Sequence, residues 1–139
     1  MNSFLWAILA ALTWGCAPVI EKLGLSKIDP NVGVFFRTLG VIAGIPILVF
    51  FNRTAIRSSL INLRPEFIYL MLGGFLASIV GQIFFYNALK FGEASKTVPL
   101  GATYPFVSFI LAVFLLGEKF TVAKLGGIIF VLLGAFLLK

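Results

Sequence analysis

The sequence predicts an all-α polytopic membrane protein with five transmembrane helices, and three observations carry that prediction. The first is composition. Of 139 residues, 60% are hydrophobic and 12% charged, with a mean hydropathy of +1.10. A soluble chain of this size cannot hide so much apolar surface, so lipid must be the solvent. The second is five apolar spans: Phe4–Ile20, Val32–Phe51, Phe67–Leu89, Thr97–Leu116 and Val122–Leu138. Each falls within the ~17–25 residues that a spanning helix needs. The third is that no apolar–polar alternation of the kind a membrane β-barrel requires runs along them. Within hydrocarbon the backbone must satisfy its own hydrogen bonds, so the spans should be helices.

The first span carries Thr13 and Trp14 near its middle, and Pro18 frees the carbonyl of Trp14. It does not read as a cleaved signal. No Lys or Arg precedes it, and Glu21-Lys22 stands where a small-residue cleavage site would be expected. Asp29-Pro30-Asn31 is a turn signal that can also start the second helix. Inside that helix lies Arg37, the one charge clearly within a span. It sits ~7.5 Å from the start of the span at ~1.5 Å per residue, close enough to reach the membrane surface. Glu21, Asp29 and Glu93 are the carboxylates on that side. The pattern leaves two roles open: an ion pair or gate with Glu21 or Glu93, and contact with an anionic group. An intramembrane arginine is costly enough to be a functional candidate.

The connection Asn52–Glu66 is the longest. Ile56, Leu60 and Leu63 recur there at helical spacing, with Arg53, Arg57 and Arg64 off that stripe. A short interfacial helix and a basic loop both fit. In the third span Gly74, Ser78, Gln82, Tyr86 and Lys90 follow at intervals of four, which places them on one face of a helix. The fourth span holds two prolines. Pro99 and Pro105 remove the helical bonds to the carbonyls of Ser95 and Gly101. Thr97, Gly101, Tyr104, Pro105 and Ser108 fall on roughly the same face. A carbonyl freed at mid-membrane depth must face a polar cavity or be capped by a neighbour. The last span carries a small-residue strip, Gly126, Gly127 and Gly134, and the second span a Gly40–Gly44 pair. Such strips let helix backbones approach closely, within a chain or across a dimer seam.

Charge and chemistry narrow the function classes. With an odd number of spans the chain ends lie on opposite sides of the membrane. The N-terminal side then carries Arg53, Arg57, Arg64, Lys119 and Lys124, and the other Lys22, Lys27, Lys90, Lys96 and Lys139, five against five. The positive-inside rule gives no orientation from such a balance, which leaves insertion in both directions open. The net charge of +6 sits in the connections, where it fits a membrane surface better than nucleic acid. One cysteine, Cys16, excludes an internal disulfide and a cysteine metal cluster. With no histidine and one aspartate, a metal site or a catalytic triad is not expected, nor is a cofactor. What remains is an uncharged, aromatic and polar mid-membrane set: Thr13, Trp14, Ser78, Gln82, Tyr86, Tyr104 and Ser108. These residues suit either solute binding or hydrogen bonds between helices.

These motifs, in order, resemble one repeat of an EamA-type domain of the drug/metabolite transporter superfamily. The matching residues are Trp14-Gly15, Phe36-Arg37, Ala88 to Ala94, the series Pro99, Pro105 and Leu116-Gly117-Glu118, and Gly126-Gly127 with Gly134. The resemblance covers essentially residues 1–139, a single domain. It implies transport of a small metabolite. The usual member has ten spans in two inverted five-span repeats, and its cavity-lining helices correspond to the first, third and fourth spans here. A single repeat implies a second copy, so a homodimer is expected, and an antiparallel one would rebuild the ten-span body. Small multidrug resistance relatives carry a glutamate in the first helix for proton coupling. Here that region reads Ala11-Leu12-Thr13-Trp14-Gly15, without a carboxylate, which argues against proton-coupled cation export by that route. The resemblance also implies the cell membrane of a prokaryote. Flipping of a lipid-linked precursor and a non-transporting partner subunit are the other roles open to such a chain.

Overall fold

The computed structural model describes residues 2–62 and 64–138. Among them there are helices and no strands, as the sequence predicts. The helices are α1 (Ser3–Leu25), α2 (Pro30–Ile61), α3 (Glu66–Phe91), α4 (Ala94–Leu116) and α5 (Val122–Leu137). The first four are long and apolar enough to cross a membrane, and α5 is a shorter apolar helix. Leu63 and Lys139, which figure in the Ile56–Leu60 stripe and the basic count, lie outside the described residues.

Helix starts and stops follow local chemistry. Asp29 caps α2, its Oδ1 accepting from the backbone N–H of Asn31 at 2.9 Å, and Pro30 takes the first helical position. There the missing proline N–H is no loss and its fixed φ suits the helix. Thr121 caps α5 by accepting from Lys124 N at 3.2 Å. Gly117 ends α4 in the left-handed region with φ 66°, a conformation that costs glycine little, and Glu118 N donates back to Ala112 O. The connections are shorter than the apolar spans suggest. Helix α1 continues past Ile20 to Leu25, and only Gly92 and Glu93 separate α3 from α4. Hydropathy marks where a helix leaves lipid, not where it stops being a helix.

Of the connection Asn52–Glu66, the part up to Ile61 is helix. Helix α2 breaks at Asn52 (φ −122°, ψ 23°) and resumes to Ile61. Asn52 Nδ2 donates to Leu48 O at 3.1 Å, closing the turn before the break. From Pro30 to Asn52 the rise is ~33 Å at ~1.5 Å per residue, about one hydrocarbon thickness. The break thus falls about one hydrocarbon thickness from the start of the helix, and Arg53 and Arg57 follow it, exposed.

The chain divides into two compact units, Gly24–Lys90 and Met1–Leu23 with Phe91–Lys139. The first holds most of the buried side chains: Leu25, Val34, Tyr86 and Leu89. Gly33 makes room for them. A Cβ there would stand 2.8 Å from Leu25 Cδ2 and 3.1 Å from a Tyr86 ring carbon. Lys90 Nζ donates to the carbonyls of Leu25, at the end of α1, and of Ser26 and Ile28 in the turn that follows. In the second unit Lys22 Nζ donates to Gly92 O at 2.7 Å, doing the same beyond the end of α3. Most large apolar side chains elsewhere are exposed, from Phe4 and Trp6 to Phe136 and Leu137, as expected where hydrocarbon is the neighbour.

Candidate functional site

Helix α4 is two half-helices, Ala94–Gly101 and Tyr104–Leu116, separated at Ala102 and Thr103. The cause is Pro105. It occupies the first turn of the second half, where its missing N–H costs nothing, and the chain opens before it. Thr103 Oγ1 donates to Leu100 O at 2.7 Å, adding a side-chain bond to a carbonyl that also accepts from Thr103 N at 3.2 Å beside the break. Sequence reasoning passed over Thr103; its signal was a hydroxyl residue two positions before a mid-membrane proline. Pro99 stays inside the first half-helix, and Thr97 on that half is buried.

Beyond the break, Tyr104, Pro105 and Ser108 line one wall of an open groove of about 510 Å³. Ala123, Gly127, Ile128 and Val131 of α5 form the other wall. Lys124 and Glu118 pair at 3.2 Å on its rim, with both side chains about half exposed. The groove is apolar except for the Tyr104 and Ser108 hydroxyls and that ion pair. It brings two of the seven expected binding residues, Tyr104 and Ser108, together with Gly127 of the expected seam. No atom lies within 4 Å of a Cβ added at Gly126, Gly127 or Gly134, nor at Gly40 or Gly44, so these strips face open space.

The α3 residues lie in the other unit. A π-helical turn, Leu76–Val80, contains Ser78, and regular helix resumes at Gly81. The extra residue in such a turn rotates the remainder of the helix about its axis, and π turns recur at functional sites. Gln82 comes two residues later, half-buried, and its Oε1 is buried with no hydrogen-bond partner. Tyr86 is 3% exposed and packs its ring against Gly33, so it serves the packed end of the unit. Asn87, which sequence reasoning left aside, donates to Ile83 O at 2.8 Å.

On α1, Thr13 Oγ1 donates to Leu9 O at 2.8 Å, which leaves its lone pairs to accept, and Trp14 is 67% exposed. Pro18 is buried and Cys16 exposed. Of the charged residues, Glu93 lies 3.5 Å from Lys96 within the first turn of α4. Glu21 and Arg37 are each partly buried. Lys22 and Lys90, expected only as surface cations, are instead the clasps described above. Their signal was a lysine in the last turn of a helix, where cations meet the exposed carbonyls.

Comparison with known proteins gives this geometry a context. The model of the EamA-like transporter family matches residues 1–139. A protein of Sinorhizobium sp. described as an uncharacterized transporter in the cobO 3' region is 29% identical over 133 residues, covering 96% of this chain and 93% of the relative. An uncharacterized transporter of Clostridium kluyveri is 28% identical over 134 residues, which are 94% of this chain and 41% of the relative. An uncharacterized protein of Methanocaldococcus jannaschii is 24% identical over 138 residues, 99% of this chain and 96% of the relative. No solved structure matches.

Proposed function

The chain belongs to the EamA-like transporter family and is an integral membrane transporter; from that premise we propose that it moves a small metabolite by alternating access as a homodimer. Residues 1–139 act as one five-helix unit, and the solute binds near the bilayer midplane between two copies. One observation carries the reading. The same unit accounts for 93% and 96% of two relatives but only 41% of the Clostridium kluyveri transporter. A unit found both alone and within a chain more than twice its length is suited to working in pairs. With five crossings per copy, an antiparallel pair presents the same groups to both faces, the arrangement that two-faced transport requires. The balanced basic residues allow the two opposite insertions that such a pair needs. Relatives in two bacteria and an archaeon support a prokaryotic cell membrane.

The binding residues in this reading are Thr13, Trp14, Ser78, Gln82, Tyr104 and Ser108, with Tyr86 supporting Gln82 from one turn away. Arg37, Glu21 and Glu93 serve as the gate. Gly126, Gly127 and Gly134 form the seam between copies. A second reading, flipping of a lipid-linked precursor, has its own support: the Tyr104–Ser108 groove is open rather than enclosed.

Purified protein in liposomes tests these readings. Flux across a metabolite panel is the expected result. Headgroup scrambling without solute flux would favour the flippase, and neither activity would leave a partner subunit. Gln82→Ala and Tyr104→Phe should each weaken solute binding by about 2- to 10-fold, the value of one hydrogen bond. Lower thermal stability with unchanged affinity would make them interhelical contacts instead. Labelling of cysteines at both termini from one side only would rule out the antiparallel pair.

A further inference from the structure

The chain keeps its two kinds of basic residue apart. Three of its four arginines, Arg53, Arg57 and Arg64, fall between residues 53 and 64, and all seven lysines lie in other parts of the sequence. Most of that stretch is helix. Helix α2 breaks at Asn52 and resumes to Ile61, where Asn62 closes it. The Asn62 N–H donates to Ser58 O at 3.2 Å and its Nδ2 to the same oxygen at 3.3 Å, while Ser58 Oγ donates to Ala55 O at 2.9 Å. Ser58 and Asn62 thus use their side chains on the helix itself. The arginines do not. All three are exposed, and among the described residues none has an ion pair or a side-chain hydrogen bond.

At ~100° per residue, Arg53 and Arg57 stand one turn apart and directly beside Ile56 and Leu60, while Ala55, Ser58 and Ser59 take the opposite side. The apolar run Val32–Phe51 ends immediately before this segment, with Phe50 and Phe51 exposed. A helix so patterned at the end of a span suits the membrane surface. Its apolar side chains reach toward acyl chains, and the long cationic ones beside them reach the headgroups.

An anion would complete the segment. Glu66 is the one carboxylate between Thr38 and Gly92 in the sequence, so the chain supplies little counter-charge nearby along its length. The choice of arginine over lysine is informative. A guanidinium donates two parallel N–H bonds to a phosphate, whereas an ammonium acts as a point charge. The phosphate found at the surface of a membrane is that of a phospholipid.

We propose that Arg53, Arg57 and Arg64 form a binding surface for anionic phospholipid headgroups, with Arg53 and Arg57 holding one phosphate from adjacent turns. The partner is a headgroup of net negative charge, such as phosphatidylglycerol. Phosphatidylcholine offers the same phosphate but brings a cation with it. The surface ties the α2–α3 turn to one leaflet, whatever solute the protein moves.

Titration of the protein in dodecyl maltoside with dioleoyl phosphatidylglycerol or dioleoyl phosphatidylcholine, read by native mass spectrometry, tests this. Phosphatidylglycerol should bind more tightly. Arg53→Gln with Arg57→Gln should weaken its binding by about 5-fold per arginine, the value of one cation at an anionic membrane surface. Lys27→Gln with Lys119→Gln removes the same charge from exposed positions elsewhere and should leave binding unchanged. If the glutamine variant does not fold, as judged by size exclusion and melting, Arg53→Lys with Arg57→Lys takes its place. That variant keeps the charge and removes the fork, and it should weaken binding by about 2- to 10-fold. Equal affinity for the two lipids overturns the inference, as does unchanged phosphatidylglycerol binding in the arginine variants. An equal loss in the lysine variant also overturns it, because net charge alone would then account for binding. So does displacement of phosphatidylglycerol by millimolar glycerol phosphate, since the surface would then take a soluble anion.

Discussion

The packed end of the Gly24–Lys90 unit and the α4–α5 groove use the same residue types to opposite ends. In the first, a glycine lies under Leu25 and Tyr86, and three carbonyls converge on Lys90. In the second, Gly126, Gly127 and Gly134 face open space, and Tyr104 is 58% exposed. A membrane protein has no hydrophobic force to bring helices together inside lipid. It packs only where small residues, close contacts and polar bonds reward approach. The first region is closed by the chain's own groups. The second presents a surface that lipid, a solute or another copy must complete.

The contrast can be broken most sharply at Lys90. Lys90→Met removes the ammonium from the carbonyls of Leu25, Ser26 and Ile28 and should cost ~1.5–3 kcal/mol, the range for bonds to a charged group. Melting of the purified protein, followed by size exclusion after heating, measures it; an unchanged transition would mean water already satisfies those carbonyls. Next is Gly33→Val, which drives a branched side chain into Leu25 and the Tyr86 ring. Overpacking of this kind costs ~1–3 kcal/mol, and the same melt should show it. A smaller effect belongs to the α4 break. Thr103→Val deletes the bond to Leu100 O and should cost ~0.5–1.5 kcal/mol, with greater exchange of the Leu100–Tyr104 amides seen by hydrogen–deuterium exchange. The smallest effect on the single chain is expected for Gly127→Leu. Its side chain enters open space, so the melt of the monomer should move by no more than ~0.5 kcal/mol equivalent. The crosslinked dimer should fall if this strip is the seam. A glycine substitution that destabilises at Gly33 and is silent at Gly127 would establish the contrast; equal effects would erase it.

Much of the architecture was legible because it depends on one-dimensional chemistry. Hydrophobic length marks where a chain crosses lipid, and five such lengths appear as five helices. Proline removes a donor wherever it stands, so the broken fourth helix follows from Pro105. Asp29-Pro30 starts a helix through bonds to residues two and three positions away. Family membership follows from the same order of motifs. The positions that depend on neighbours distant in sequence were not legible in this way. The α3 stripe reads as one uniform face, yet Tyr86 is packed under Gly33 while Gln82, one turn away, keeps an unpartnered oxygen. Glycines alike in sequence divide into Gly33, covered by side chains from other helices, and several that are open. Lys22 and Lys90 look like surface cations and instead bind carbonyls 62 to 70 residues away along the chain. Spacing shows which face of a helix a residue occupies, but which atoms meet that face depends on the register between helices, and that register is set by contacts such as Gly33 with Tyr86 that no local pattern encodes.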